Sequence, residues 1–159
     1  MTAIRNTIIL LALILGVGRA HAFAVAAPTP QATHAAVTAL QNGGNAMDAM
    51  VAATFALNVT QPFMMGIGGG GFLLATHNGT VTLWNHRETA PASAHATMFL
   101  QRDGQAIPVR ERMSGPNPAG IPGTVAGIYA AHQQLGTRPW KELLQPAIQI
   151  ARDGFPIPR

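Results

Sequence analysis

The sequence predicts an α+β fold in which helices cover an antiparallel pair of strands, on three observations. Asn78-Gly79 lies between two strand-like runs, Phe72 to Thr76 and Thr80 to Trp84. That dipeptide in that setting is the strongest short hairpin signal, because a type I′ turn needs positive φ at both central residues. Stretches on both sides of the hairpin place apolar residues at helical spacing. No strand alternates with a helix in the order that a parallel sheet requires. Two strands do not make a stable sheet alone, so the apolar face of this ribbon is expected to need further strands that the sequence does not contain.

The chain opens on an address. Arg5 supplies a positive start, Ile8 to Val17 is apolar, and Ala20-His21-Ala22 has the small-x-small form of a cleavage site. This reads as a secretory signal peptide over residues 1–22, cut after Ala22. A membrane-anchoring helix is the competing reading, but the apolar run falls short of the roughly twenty residues that span a bilayer. No stable membrane span is expected after cleavage, and the mature protein is expected to be periplasmic or secreted in a bacterium. Phe23 to Pro30 reads as a short extended leader.

Gln31 to Gln41 is an Ala-rich helix with Val37 and Leu40 on one face, ended by Asn42-Gly43-Gly44. Asn45 is an N-cap candidate, and Asp48 sits in the following first turn, where a negative charge complements the helix dipole. Ala46 to Val59 carries Met47, Met50, Val51, Phe55 and Leu57 around much of its circumference, which predicts burial on more than one side. Gln61-Pro62 stops it. The hairpin follows, then Ala92 to Leu100 as a short helix, Gln101 to Gly104 as a turn, and Gln105 to Gly120 as a loop without periodicity. Ile121-Pro122-Gly123-Thr124 starts a helix bearing Val125, Ile128, Tyr129 and Leu135, closed by Gly136. Thr137 reads as the cap of a last helix, with Trp140, Leu143, Leu144, Ala147, Ile148 and Ala151 at helical spacing. Pro146 should kink that helix and Gly154 should end it.

Composition excludes several functions. The chain has 159 residues, 48% of them hydrophobic and 10% charged, which suits a core and argues against disorder. Its formal charge is +4. Removing Arg5 and Arg19 leaves eight basic against six acidic residues, a net of +2. The basic residues form no run or stripe, so nucleic-acid binding is not expected. With no cysteine in an exported chain, neither disulfides nor thiol chemistry are available. The histidines show no paired ligand spacing, so no metal or other cofactor is expected. Ser93 and Ser114 lie in no nucleophile elbow.

The glycines from Gly66 to Gly71 follow a helix and open a strand, the reverse of a phosphate-cradling loop. They suit instead a sharp turn and a close approach to a neighbouring backbone. Asn58-Val59-Thr60 and Asn78-Gly79-Thr80 match the glycosylation sequon, a pattern frequent by chance. Arg87, just past the hairpin, is the side chain of most interest. It admits two readings, a structural ion pair with Glu88 or Asp48, or recognition of a carboxylate by its planar fork.

Five segments then carry a resemblance: Gly43-Gly44-Asn45-Ala46-Met47-Asp48-Ala49, the Gly68 to Phe72 run, Arg87-Glu88-Thr89-Ala90-Pro91, Gly120 to Gly127, and Gln145 to Phe155. In this order they resemble the N-terminal part of the large subunit of gamma-glutamyltranspeptidases, over nearly the whole mature chain. The resemblance implies an N-terminal-nucleophile hydrolase with an αββα sandwich, incomplete in this chain, and makes residues 23–159 an N-terminal fragment of the large subunit. It implies that Arg87 binds the α-carboxylate of the gamma-glutamyl group of glutathione-like substrates. Where the family usually has an acidic and an aromatic residue before this arginine, Asn85-His86 stand here.

Members of that family cleave themselves so that a threonine becomes the N-terminus of a small subunit and attacks the gamma-glutamyl amide. The threonine pair followed by histidine at that cleavage site does not occur in this sequence. No catalytic residue is therefore assigned, and the chain is expected to be inactive without the rest of the large subunit and the small subunit. The alternative is a non-catalytic periplasmic module that binds glutamate or a partner.

Overall fold

The computed structural model describes residues 22–157. Apart from Ala22, the signal-peptide reading of residues 1–22 lies outside the described residues. The elements run α1 (Pro30–Gln41), α2 (Ala46–Thr60), α3 (Pro62–Met65), β1 (Phe72–His77), β2 (Thr80–Asn85), α4 (Val109–Arg112), α5 (Thr124–Leu135), α6 (Trp140–Leu143) and α7 (Gln145–Asp153). The strands pair antiparallel from Phe72 opposite Asn85 to His77 opposite Thr80. Asn78 and Gly79 take φ of 49° and 77° at the turn. The expected α+β order is therefore present. Among the described residues no helix is long and apolar enough to cross a membrane.

Helix α2 is the centre of the core. Its start is fixed by a capping box: the Asn45 side chain accepts from the Met47 and Asp48 N–H groups, and the Asp48 carboxylate accepts from Asn45 N–H. Met47, Val51, Ala52, Phe55, Ala56 and Leu57 are all buried, so this helix is enclosed on more than one side, as its composition predicts. Ile128, Leu143 and Ala147 from α5, α6 and α7 complete the cluster.

Helix α1 lies along α2 but presents a different face from the one expected. Ala32, Ala35, Ala36 and Ala39 are buried, while Val37 and Leu40 are only half-buried. Methyl side chains let the two backbones approach closely, and a close-packed interface has no room for a larger residue there. Thr29 caps α1 by accepting from Ala32 N–H.

Several expectations need correction. Residues Ala92 to Leu100 form successive turns, closed by hydrogen bonds from Ala94 to Pro91 and from Met98 to His95. A stretch this short has no helical stability unless an apolar face is buried against a neighbour. The following loop contains a single helical turn, α4, that no periodicity announced. Pro62 ends α2 yet also opens α3 as a first-turn residue. The last helix is split at Leu144 into α6 and α7, with Pro146 in the first turn of α7. Thr137 does not cap α6, since Pro139 holds that position.

The ribbon is covered on one side only. Leu73, Ala75, Thr82 and Trp84 are half-buried. Phe72, Leu74, Val81 and Leu83 on the opposite face are 62%, 65%, 63% and 59% exposed.

Candidate functional site

The segment carrying Arg87 is held at both ends by backbone pairing. Upstream, His86 and Gly71 exchange hydrogen bonds of 3.0 and 3.2 Å, extending the hairpin by one pair. Downstream, Thr89 and Ile121 exchange bonds of 3.3 and 2.8 Å. Between them the Arg87 N–H donates to Asn85 Oδ1 at 3.2 Å. Helix α5 closes the arrangement from behind. Its first N–H groups, from Gly123 and Thr124, donate to the Gly69 carbonyl at 2.9 and 3.0 Å.

Two glycines make this closeness sterically feasible. A Cβ on Gly123 would sit 2.0 Å from the His86 carbonyl oxygen, and one on Gly70 would sit 2.5 Å from the same atom. Both contacts are to backbone, which cannot rotate away. The glycine run therefore does what its order in the sequence suggests, a close approach to a neighbouring chain segment. The helix N-terminus it meets is already occupied by a carbonyl.

The Arg87 side chain is 61% exposed, and its Nε lies 3.2 Å from Glu88 Oε2. Of the two ion-pair partners that the sequence allows, the structure thus supplies Glu88. Asp48 is engaged elsewhere. The terminal nitrogens of Arg87 make no hydrogen bond among the described residues, so its two-pronged edge is open to a planar anion. Beside this segment lies an open cavity of about 370 Å³, walled by Asn58, the glycine run, His86, Glu88 and Thr124. Arg87 itself is not on its wall.

Asp48 has no exposed surface and joins α2 to the end of α5. Its carboxylate accepts from Thr137 Oγ1 at 2.6 Å, Thr137 N–H at 3.0 Å and Arg138 N–H at 3.2 Å, in addition to Asn45. Asn45 reinforces the joint by donating through Nδ2 to the Leu135 carbonyl at 2.6 Å. Burial alone would push the Asp48 carboxyl up, but the bonds from the Thr137 hydroxyl and the three N–H groups outweigh it and hold the group below its ordinary value of 3.8. His132, also buried, places Nε2 2.9 Å from the Arg138 carbonyl and 3.6 Å from Asp48 Oδ1.

Sequence reasoning missed this joint. The available signals were an acidic residue in an otherwise apolar helix and a threonine directly after a helix-closing glycine. No group of three or more His, Cys, Asp or Glu among the described residues could hold a metal ion. Of the two sequons, Asn58 is committed to the Met65 carbonyl and Thr60 is buried, whereas Asn78-Gly79-Thr80 is exposed throughout.

The motifs that carry the resemblance thus meet in space: the Asn45–Asp48 turn grips the end of α5, and the start of α5 grips the glycine run and the strand exit. The family model described as Gamma-glutamyltranspeptidase matches residues 32–159. The chain belongs to the gamma-glutamyltranspeptidase family. It is 47% identical over 135 residues to a glutathione hydrolase proenzyme of Bacillus subtilis, a match covering 84% of this chain and 23% of that relative. A gamma-glutamyltranspeptidase from Pseudomonas nitroreducens complexed with L-DON superposes with a TM-score of 0.82 at 43% identity, covering 86% of this chain and 41% of that one. The Helicobacter pylori gamma-glutamyltranspeptidase gives 0.81 at 37% identity, covering 87% and 40%. This gamma-glutamyltranspeptidase-family chain therefore spans about a quarter of the length of that curated relative.

Proposed function

We propose that residues 23–159 form the N-terminal part of the large subunit of an exported gamma-glutamyltransferase or glutathione hydrolase. In this reading Arg87 docks the α-carboxylate of a gamma-glutamyl substrate such as glutathione. The single observation that supports it most is the open fork of Arg87, carried on a backbone segment held between two backbone pairs. A planar guanidinium offers a carboxylate two parallel charge-assisted hydrogen bonds. The half-buried Glu88 engages only Nε of Arg87, which is 61% exposed, and leaves the terminal nitrogens free among the described residues.

Nothing in this segment attacks an amide. The nucleophile in this reading is a threonine from family sequence beyond this segment, with its own α-amine as base. The bare face formed by Phe72, Leu74, Val81 and Leu83 suits further strands, supplied in the family's αββα sandwich by the same missing sequence. The segment alone is therefore inactive, and the completed enzyme works in the periplasm or outside the cell.

The test is a chimaera in which residues 32–159 replace the matching segment of the Bacillus subtilis glutathione hydrolase. Its expected behaviour is turnover of a gamma-glutamyl anilide, with kcat/KM falling on the order of 100-fold in Arg87→Ala, as loss of charge-assisted bonds of about 3 kcal/mol implies. An Arg87→Ala chimaera with undiminished kcat/KM would remove the assignment. Turnover by the unfused chain would refute its inactivity.

A further inference from the structure

The tip of the hairpin holds three adjacent residues that face solvent. His77, Asn78 and Gly79 are all exposed. His77 Nε2 lies 3.2 Å from Asn78 Nδ2. The Gly79 N–H has no hydrogen-bond acceptor among the described residues, and the space where a Gly79 Cβ would stand is open. An electrophilic side-chain carbonyl, an unhindered backbone nitrogen one residue on, and an imidazole at the amide nitrogen are thereby brought together.

We propose that Asn78 is a site of spontaneous deamidation, assisted by His77. The Gly79 backbone nitrogen attacks the Asn78 side-chain carbonyl carbon to close a five-membered ring with a tetrahedral carbon, and its proton passes through water to the accepting Nε2 of His77. The His77 imidazolium so formed hands that proton to Nδ2, now an amine with a free lone pair, the bond from the carbon to Nδ2 breaks, ammonia leaves and a five-membered imide remains. Water then opens the imide at either carbonyl, giving aspartate or isoaspartate at position 78. Tethering makes the attack intramolecular, and the imidazole supplies general acid at the leaving group. The aspartate product keeps a residue type that tolerates this turn. The isoaspartate product adds a methylene to the main chain within a two-residue loop, where register depends on loop length.

The chain contains its own control. Asn42-Gly43 is the same dipeptide and is also exposed. There the Gly43 N–H donates to the Leu40 carbonyl at 3.0 Å, and the flanking residue is Gln41. Its nucleophile is occupied and it has no adjacent imidazole. Two copies of one dipeptide are thus separated by the state of the glycine N–H and by the flanking residue.

The experiment incubates the full chain, made in a host that does not attach N-glycans, and follows both sites by peptide mapping and an isoaspartate assay. The expected result is faster conversion at Asn78 than at Asn42, and a slowing of about tenfold at Asn78 in His77→Thr with Asn42 unchanged. Equal rates at the two sites, or faster loss at Asn42, overturn the proposal. An unaltered Asn78 rate in His77→Thr removes the role of the imidazole. The comparison of the two sites within the unmodified chain stands whether or not the variant folds.

Discussion

Asp48 and Thr137, separated by 89 residues, are joined by a 2.6 Å hydrogen bond from the threonine hydroxyl to a fully buried carboxylate. The bond belongs to a joint that seats the end of α5, and the start of α5 in turn holds the strand exit bearing Arg87. A contact with no chemistry of its own thus lies at the base of the candidate site.

Asp48→Asn should be the most destabilising of the polar changes. An amide NH2 would face N–H donors now satisfied by the carboxylate, leaving buried groups unpaired at a cost of about 3 kcal/mol. The thermal midpoint of the full chain, followed by circular dichroism, should fall by about 10 °C. Thr137→Val removes only the hydroxyl bond and should cost about 1 kcal/mol. Equal effects of the two variants would contradict the geometry.

The same carboxylate should set the acid limit of stability. Its folded value lies below the ordinary 3.8, so folding favours the charged form. The contribution is complete above that ordinary value and is lost as pH falls through the folded one. Urea midpoints should therefore hold level from neutrality to about pH 5 and decline below 3.8. In Asp48→Asn this part of the decline should be absent.

Arg87→Lys should not rescue the chimaera. Lysine keeps the charge but offers a point donor in place of a planar fork. The expected signature is a KM rise of about tenfold with the folded stability unchanged. A lysine variant with the parental KM would show that charge suffices.

Gly123→Ala should disturb the site without removing a polar group. Its Cβ would stand 2.0 Å from the His86 carbonyl oxygen. Overpacking against backbone costs about 1–3 kcal/mol, and the segment between His86 and Thr89 must shift to relieve it. In the chimaera, KM for the anilide should rise alongside the loss of stability.

The bare ribbon face should make the unfused chain self-associate. Phe72, Leu74, Val81 and Leu83 form one apolar patch on a two-stranded sheet, and such patches and edges drive aggregation. Light scattering should fall when Leu74→Lys and Leu83→Glu are combined. Monodisperse behaviour of the parent chain would contradict this.

Much of the fold was legible because local chemistry determines it. Asn78-Gly79 fixed the turn, Asn45 fixed the start of α2, and Pro146 marked the break between α6 and α7. Less legible was whatever depended on a partner distant in sequence. The alanine face of α1 was hidden because propensity ranks Val37 and Leu40 as more apolar, whereas a closely approaching helix selects for size. Ala92 to Leu100 had the composition of a helix but no surface to bury against. Arg87 stood out from its position after the hairpin, and its ion pair with Glu88 was one of two readings. Thr137 looked like a cap, because nothing near it in sequence points to a carboxylate on another helix.

One consequence of the Asp48 joint concerns ionic strength. Its negative charge is balanced by N–H groups and a hydroxyl, dipoles fixed to the protein with no mobile counter-charge to screen. Added electrolyte weakens exposed pairs such as Arg138 with Glu142, which meet in water at the surface. It has little purchase on a carboxylate sealed from solvent, so the joint at the base of the site should vary less with ionic strength than those surface pairs do.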